Sequence, residues 1–160
     1  MKKFTKRSIS VATIGFLTAV LALVLPSLYL TKDNSTVMGF ITTFGGTIKY
    51  NSYDARIGFS VPLFIAWLLP LIGGGISLAF GKNQKSAFFF SMICFIASGI
   101  LYALTMKYVL SINVAGSISG FQSAEMCAQP YVAITLNAIG VIACLFGIFY
   151  KPSTRYSRYR

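Results

Sequence analysis

Histidine is absent from this chain of 160 residues, and its acidic side chains number only three, Asp33, Asp54 and Glu125. Metal centres are built from clusters of His, Cys and carboxylate ligands, and nucleophilic catalysis needs a Ser, Cys or Thr with a base in reach. Neither constellation can be assembled here, so the chain reads as a non-enzyme without metal or cofactor. Cysteine is equally sparse. Cys94, Cys127 and Cys144 are an odd set with no C-x-x-C spacing, which leaves no counterpart of the thiol-oxidising membrane enzymes of quinone chemistry. Charge of either sign is missing from every long apolar run. Proton-coupled carriers keep an ionisable group at membrane depth because that group must bind and release the ion, so a small proton antiporter is disfavoured.

What the chain does have is apolar residues, 56% by count, against 17 charged side chains. That composition names lipid as the solvent. A helix rises about 1.5 Å per residue and the hydrocarbon core is about 30 Å thick, so about 20 uncharged residues are needed to cross. Four windows meet that length: Ile9–Leu30, Phe59–Phe80, Ala87–Met106 and Pro130–Tyr150. They predict an all-α membrane protein, one domain over 1–160, with an antiparallel four-helix transmembrane bundle. The short connection 81–86 can only join antiparallel neighbours. The basic start Met1-Lys2-Lys3 ahead of an apolar run also fits a cleavable secretory signal. The run lacks a small-x-small ending, however, and an uncleaved first span fits it better.

Basic residues near span ends stay on the cytoplasmic side. With tails 1–8 and 151–160 inside, ten of the 14 basic residues are cytoplasmic, at Lys2, Lys3, Lys6, Arg7, Lys82, Lys85, Lys151, Arg155, Arg158 and Arg160. All three acids then fall outside with Lys32, Lys49, Arg56 and Lys107. The net charge of +11 thereby has a topological reason, and nucleic acid is not expected as a partner. The basic and aromatic tail, with Arg155, Arg158 and Arg160, reads as an anchor on anionic lipids or as a docking peptide for a partner. The lysine-rich start and short loops have the style of a bacterial plasma-membrane protein.

The outer segments 31–58 and 107–129 are strand-rich. Val37–Phe44 and Thr47–Tyr53 carry β-branched and aromatic residues, and Gly45-Gly46 between them predicts a hairpin turn. Tyr108–Val114 predicts another strand beside that hairpin, so a small extracellular β-hairpin or sheet caps the bundle. A competing reading makes Val109–Phe121 a re-entrant segment. The bulk arrangement is similar in outline to claudin-like tetraspan proteins. That family carries a Trp and paired Cys in its first outer loop, and 31–58 has neither, so the resemblance extends to architecture alone.

Inside the windows, Pro70 and Gly73, Gly74 and Gly75 mark a hinge or a close crossing. Small residues four apart let helices approach closely in lipid, which selects Gly15/Ala19, Gly73/Ser77, Gly99/Ala103 and Ala143/Gly147. Asn137 is the most polar group deep in a span. It is expected to bond to a neighbouring helix, or to lie on a polar path with Thr135, Ser98 and Ser91. Cys94 and Cys144 share a depth and read as packing residues. These features predict an accessory or interaction subunit of a membrane assembly, partnered by another membrane protein or by itself. A small-solute channel or carrier is the alternative, and a bacterial immunity-type membrane protein a third.

Overall fold

The computed structural model describes residues 6–30, 34–50, 53–80, 85–104, 112–114, 117–119 and 124–149. In chain order the elements are α1 (Lys6–Val24), β1 (Pro26–Leu30), β2 (Ser35–Met38), α2 (Gly39–Phe44), β3 (Gly46–Tyr50), β4 (Tyr53–Ile57), α3 (Val61–Phe80), α4 (Lys85–Ala103), β5 (Ile112–Val114), β6 (Ser117–Ser119), β7 (Ala124–Met126) and α5 (Ala128–Phe149). The molecule is mostly helical. α1, α3, α4 and α5 are each long and apolar enough to cross a membrane, and small sheets accompany them.

The four long helices form a ring in which α1 and α4 each pack on both α3 and α5. Neighbours run in opposite senses. Ser8 and Ala19 of α1 meet Ser77 and Trp67 of α3, Ser91 and Ser98 of α4 meet Gly73 and Ala66, and Gln129 of α5 meets Ala22 near the end of α1. Buried positions recur every three or four residues, as in Ser8, Val11, Gly15, Thr18 and Ala22 or in Pro130, Ala133, Asn137, Gly140, Cys144 and Gly147. This is the spacing that keeps one seam of each helix facing its neighbours. The seam holds mostly small and hydroxyl residues. Many large side chains point the other way, with Phe16 65%, Phe146 70% and Phe149 76% exposed, while Phe88, Phe95 and Tyr102 of α4 are buried.

The first apolar window is not all helix. Leu25 N–H makes the last helical bond, to Leu21 O at 2.9 Å, and Pro26 has no N–H with which to continue. Pro26 instead opens β1, at a strand's first residue, where the missing donor is tolerated. β1 is the central strand of the antiparallel sheet β2-β1-β7. The third window also shifts: Lys85 and Ser86 belong to α4, which ends at Ala103. Likewise Ala128 and Gln129 already belong to α5.

The second sheet has the antiparallel order β3-β4-β5-β6. Ala55 and Ile57 are buried while Asp54 and Arg56 are exposed, the period-two pattern of a sheet with one face on a core. Arg56 stands opposite Thr47 and Asn113, and Lys49 opposite Asp54. The hairpin therefore joins β3 to β4. It does not turn at Gly45-Gly46, as its sequence predicted, because Gly39–Phe44 is a helix. Gly45 ends that helix with φ +85, a positive φ that glycine adopts without a Cβ clash. The expected strand beside the hairpin is present as β5. The described residues of the proposed re-entrant segment, 112–114 and 117–119, are strands of this sheet.

Two apolar clusters fill the interior. One, at the sheet-bearing end, joins Ala22, Leu28, Leu30, Val37, Ile57, Leu63, Ala66, Tyr102 and Ala133. The other, toward the opposite end, joins Val11, Phe88, Phe95 and Cys144.

Candidate functional site

Pro70 lies inside α3, and the helix runs through it without a break. A proline has no N–H to offer the carbonyl four residues earlier, which here is that of Ala66. Ser98 of α4 supplies the missing donor, its Oγ–H donating to Ala66 O at 2.7 Å. Asn137 of α5 then donates from Nδ2 to Ser98 Oγ at 3.0 Å. A three-helix relay, Asn137 to Ser98 to Ala66, thus ties α5, α4 and α3 at one level. Ser98 has no exposed surface and Asn137 is 2% exposed. The Oδ1 of Asn137 has no hydrogen-bond partner among the described residues.

The same device recurs further along the bundle. Ser91 Oγ meets Gly73 O at 2.6 Å and Ala87 O at 2.8 Å. Ser77 Oγ meets Gly74 O at 2.8 Å and, across the interface, Ser8 O at 3.3 Å. Trp67 Nε1–H donates to Ala19 O at 3.1 Å. A hydroxyl has one proton, so the paired contacts of Ser91 and Ser77 are shared or alternating bonds. Ser77, Ser91 and Ser98 are all fully buried. Thr135, grouped with them on sequence grounds, faces outward and bonds to Tyr131 O on its own helix.

The selected small residues separate into two groups. Gly15 sits against α3 so closely that a Cβ there would overlap the Pro70 carbonyl oxygen, and a Cβ on Gly74 would come within 3.1 Å of Ala12 Cα. A Cβ on Gly73 would stand 3.1 Å from Cys94 Cβ, and one on Gly147 would stand 2.6 Å from the Phe88 ring. These glycines, with Pro70, sit at close crossings. Gly75, by contrast, faces open space, Gly99 meets only Asn137 Cβ at 3.7 Å, and Ala103 is exposed. Ala143 is half-buried against the second core cluster. Arg155, Arg158 and Arg160 lie outside the described residues.

Several participants were not selected from the sequence. Gly140 receives the fully buried ring of Phe95, 2.7 Å from where its Cβ would be. The seven-residue spacing Ala133, Gly140, Gly147 carried that signal. Gln129, with no exposed surface, donates from Nε2 to Ala22 O at 2.8 Å, while its Oε1 and the hydroxyls of Ser27 and Ser60 have no partner among the described residues. Gly39 is needed there too, since a Cβ on it would overlap the Ala22 carbonyl oxygen and come within 3.1 Å of Gln129 Nε2.

Chemically this is a set of donors spent on backbone carbonyls. No group of three or more His, Cys, Asp or Glu side chains suited to a metal occurs among the described residues. Cys94, Cys127 and Cys144 are all free thiols. The Ile96, Gly99 and Ile100 side of α4 and the Ile134, Asn137, Ala138 and Ile142 side of α5 line an open apolar groove of about 430 Å³. Comparison with protein-family models, curated proteins and solved structures found no match for this chain.

Proposed function

We propose that this chain is a four-span integral membrane protein without catalytic activity, acting as an accessory or interaction subunit of a membrane assembly. The observation that carries the interaction reading is the closed interior: Ser77, Ser91 and Ser98 have no accessible surface and donate to helix carbonyls. Side chains committed in this way leave no wetted row of polar groups at their level for a solute to follow. Work is then left to the outside of the bundle and to the cap.

The membrane placement is supported by the inverted distribution of side chains. Small and hydroxyl residues line most of the inside and most phenylalanines face outward, Phe88 and Phe95 being buried exceptions, the arrangement expected where lipid replaces water and helices associate through close packing. Exposed aromatic residues gather toward both ends of the long helices. Phe59 and Tyr131 lie at one end, and Phe80 and Phe149 at the other. The 20 residues of α3 extend about 30 Å, the thickness of a hydrocarbon core. The charge distribution supports a reading with both termini in the cytoplasm, the basic ends against anionic head groups and the sheets outside, and the lysine-rich start and short loops favour a bacterial cell.

The test is gentle detergent extraction of the tagged protein from its native membrane. The expected result is one other membrane protein recovered at a stoichiometric amount. Emergence of the chain alone, as monomer or homo-oligomer, overturns the accessory reading. In that case the channel or carrier alternative is tested by liposome flux, with Asn137→Ala as the comparison.

A further inference from the structure

At the sheet-bearing end, five aromatic rings make a continuous patch across α2, the start of α3 and the residues before it. Phe40 and Phe44 stand 5.1 Å apart between ring centroids, Phe44 is 5.9 Å from Phe64 and 5.6 Å from Trp67, and Phe59 is 5.5 Å from Phe64. The outermost rings, Phe40 and Phe59, are each 54% exposed. α2 turns its small and hydroxyl residues inward and an aromatic ring outward. Gly39, Thr42 and Thr43 are buried while Phe40 points out.

The patch is held at a fixed height. Gly39 N–H donates to Leu25 O at 2.9 Å, where α1 ends, and Ser60 N–H donates to Thr43 O at 3.1 Å, where α3 begins. Thr42 Oγ1 closes α2 on itself through Gly39 O. Toward the bundle the patch continues into the apolar perimeter of α3 at Val61, Ile65 and Ile72. On the cap side the exposed residues become polar, with Thr47, Lys49, Asp54 and Arg56. It therefore occupies the boundary between an apolar girdle and a polar surface, the level at which aromatic side chains sit between acyl chains and head groups.

We propose that α2 and this ring cluster form an interfacial anchor whose ligand is the bilayer itself, with Phe40 and Phe59 lodged at the head-group and acyl boundary of the leaflet on the sheet side. The proposal rests on the membrane reading above and adds a place and a role to it. The anchor sets how deep the bundle sits and holds both sheets against the membrane surface.

The chain contains one tryptophan, Trp67, which makes the depth measurable. The full protein is reconstituted alone into vesicles of zwitterionic and anionic phospholipid, brominated either beside the acyl carbonyls or at mid-chain. In a Trp67→Phe background, Phe40→Trp reports the patch and Phe16→Trp, midway along α1, serves as the depth control. Phe40→Trp is expected to be quenched about twofold more by shallow than by mid-chain bromine and to be shielded from aqueous iodide, as an interfacial ring should be. Phe16→Trp is expected to show the reverse order of bromines. The unaltered protein needs no substitution, and its half-buried Trp67 should show the Phe40 order at lower amplitude.

Iodide quenching of Phe40→Trp without bromine quenching, while Phe16→Trp keeps its deep signal, overturns the anchor and leaves the patch as a surface for a water-borne protein. Stronger mid-chain than shallow quenching of Phe40→Trp overturns it as well. Loss of bromine quenching at Phe16→Trp overturns the membrane reading itself.

Discussion

α1 and α3 meet backbone to backbone, whereas α4 and α5 meet ring to glycine. On the first side Gly15 faces the Pro70 carbonyl and Gly74 faces the Ala12 backbone; on the second, Phe95 fills the space over Gly140 and Phe88 the space over Gly147. Both solutions bring helices close without relying on expulsion of water. They differ in what can yield. A peptide carbonyl in a helix is fixed by its neighbours, while a ring can be exchanged for a smaller side chain. The first interface should therefore be intolerant of any added atom, and the second should tolerate one if its partner shrinks.

The largest effect is expected at Gly15. Gly15→Ala puts a methyl group on the Pro70 carbonyl, and the helices must separate along their length. Overpacking of this kind costs about 3 kcal/mol. Thermal unfolding in detergent should show a large fall in Tm, and no single side-chain truncation on α3 should restore it, because the obstacle is main chain. Recovery by any such truncation would show that the contact is more compliant than its geometry implies.

Gly140→Ala should cost less, about 1–3 kcal/mol, and Phe95→Leu in the same chain should return part of that loss. The double mutant should then be more stable than the sum of the single changes predicts, by about 1 kcal/mol, a coupling of the size found between residues in contact. Additivity at this pair would remove the distinction between the two interfaces.

This contrast was only half legible in the sequence. Four long apolar helices could be read from uncharged windows, and several close crossings from small residues four apart. The window ending at Leu30 nevertheless overran its helix, because hydropathy does not distinguish an apolar helix from the apolar strand Pro26–Leu30. Pro26 was the signal that did. Gly39–Phe44, with its Ile and two Thr, has the composition of a strand, yet it is helical. Bonds from Gly39 to Leu25 and from Ser60 to Thr43 fix its ends, and that tertiary context overrides a weak local preference. At the ring-to-glycine seam Gly147 was selected by its spacing from Ala143, but Gly140 and the covering rings were missed, since a phenylalanine announces nothing about which glycine it will cover.

The smallest effect, and the sharpest, concerns Pro70. If Ser98 serves the carbonyl that Pro70 leaves free, removing its hydroxyl should matter only while the proline is present. Ser98→Ala leaves Ala66 O and Asn137 Nδ2 without partners, at a cost of about 1 kcal/mol by the measured scale of hydrogen bonds between membrane helices. Pro70→Ala restores an N–H at the position from which Ala66 O accepts in a regular helix. The serine's donation then becomes redundant, and Ser98→Ala in that background should lose only the contact to Asn137. A double-mutant cycle read by unfolding in mixed detergent micelles separates the two accounts. Positive coupling of several tenths of a kcal/mol is expected from a shared acceptor. Zero coupling would mean that Ser98 stabilises the bundle through Asn137 alone, and that the carbonyl beneath Pro70 is satisfied by something else.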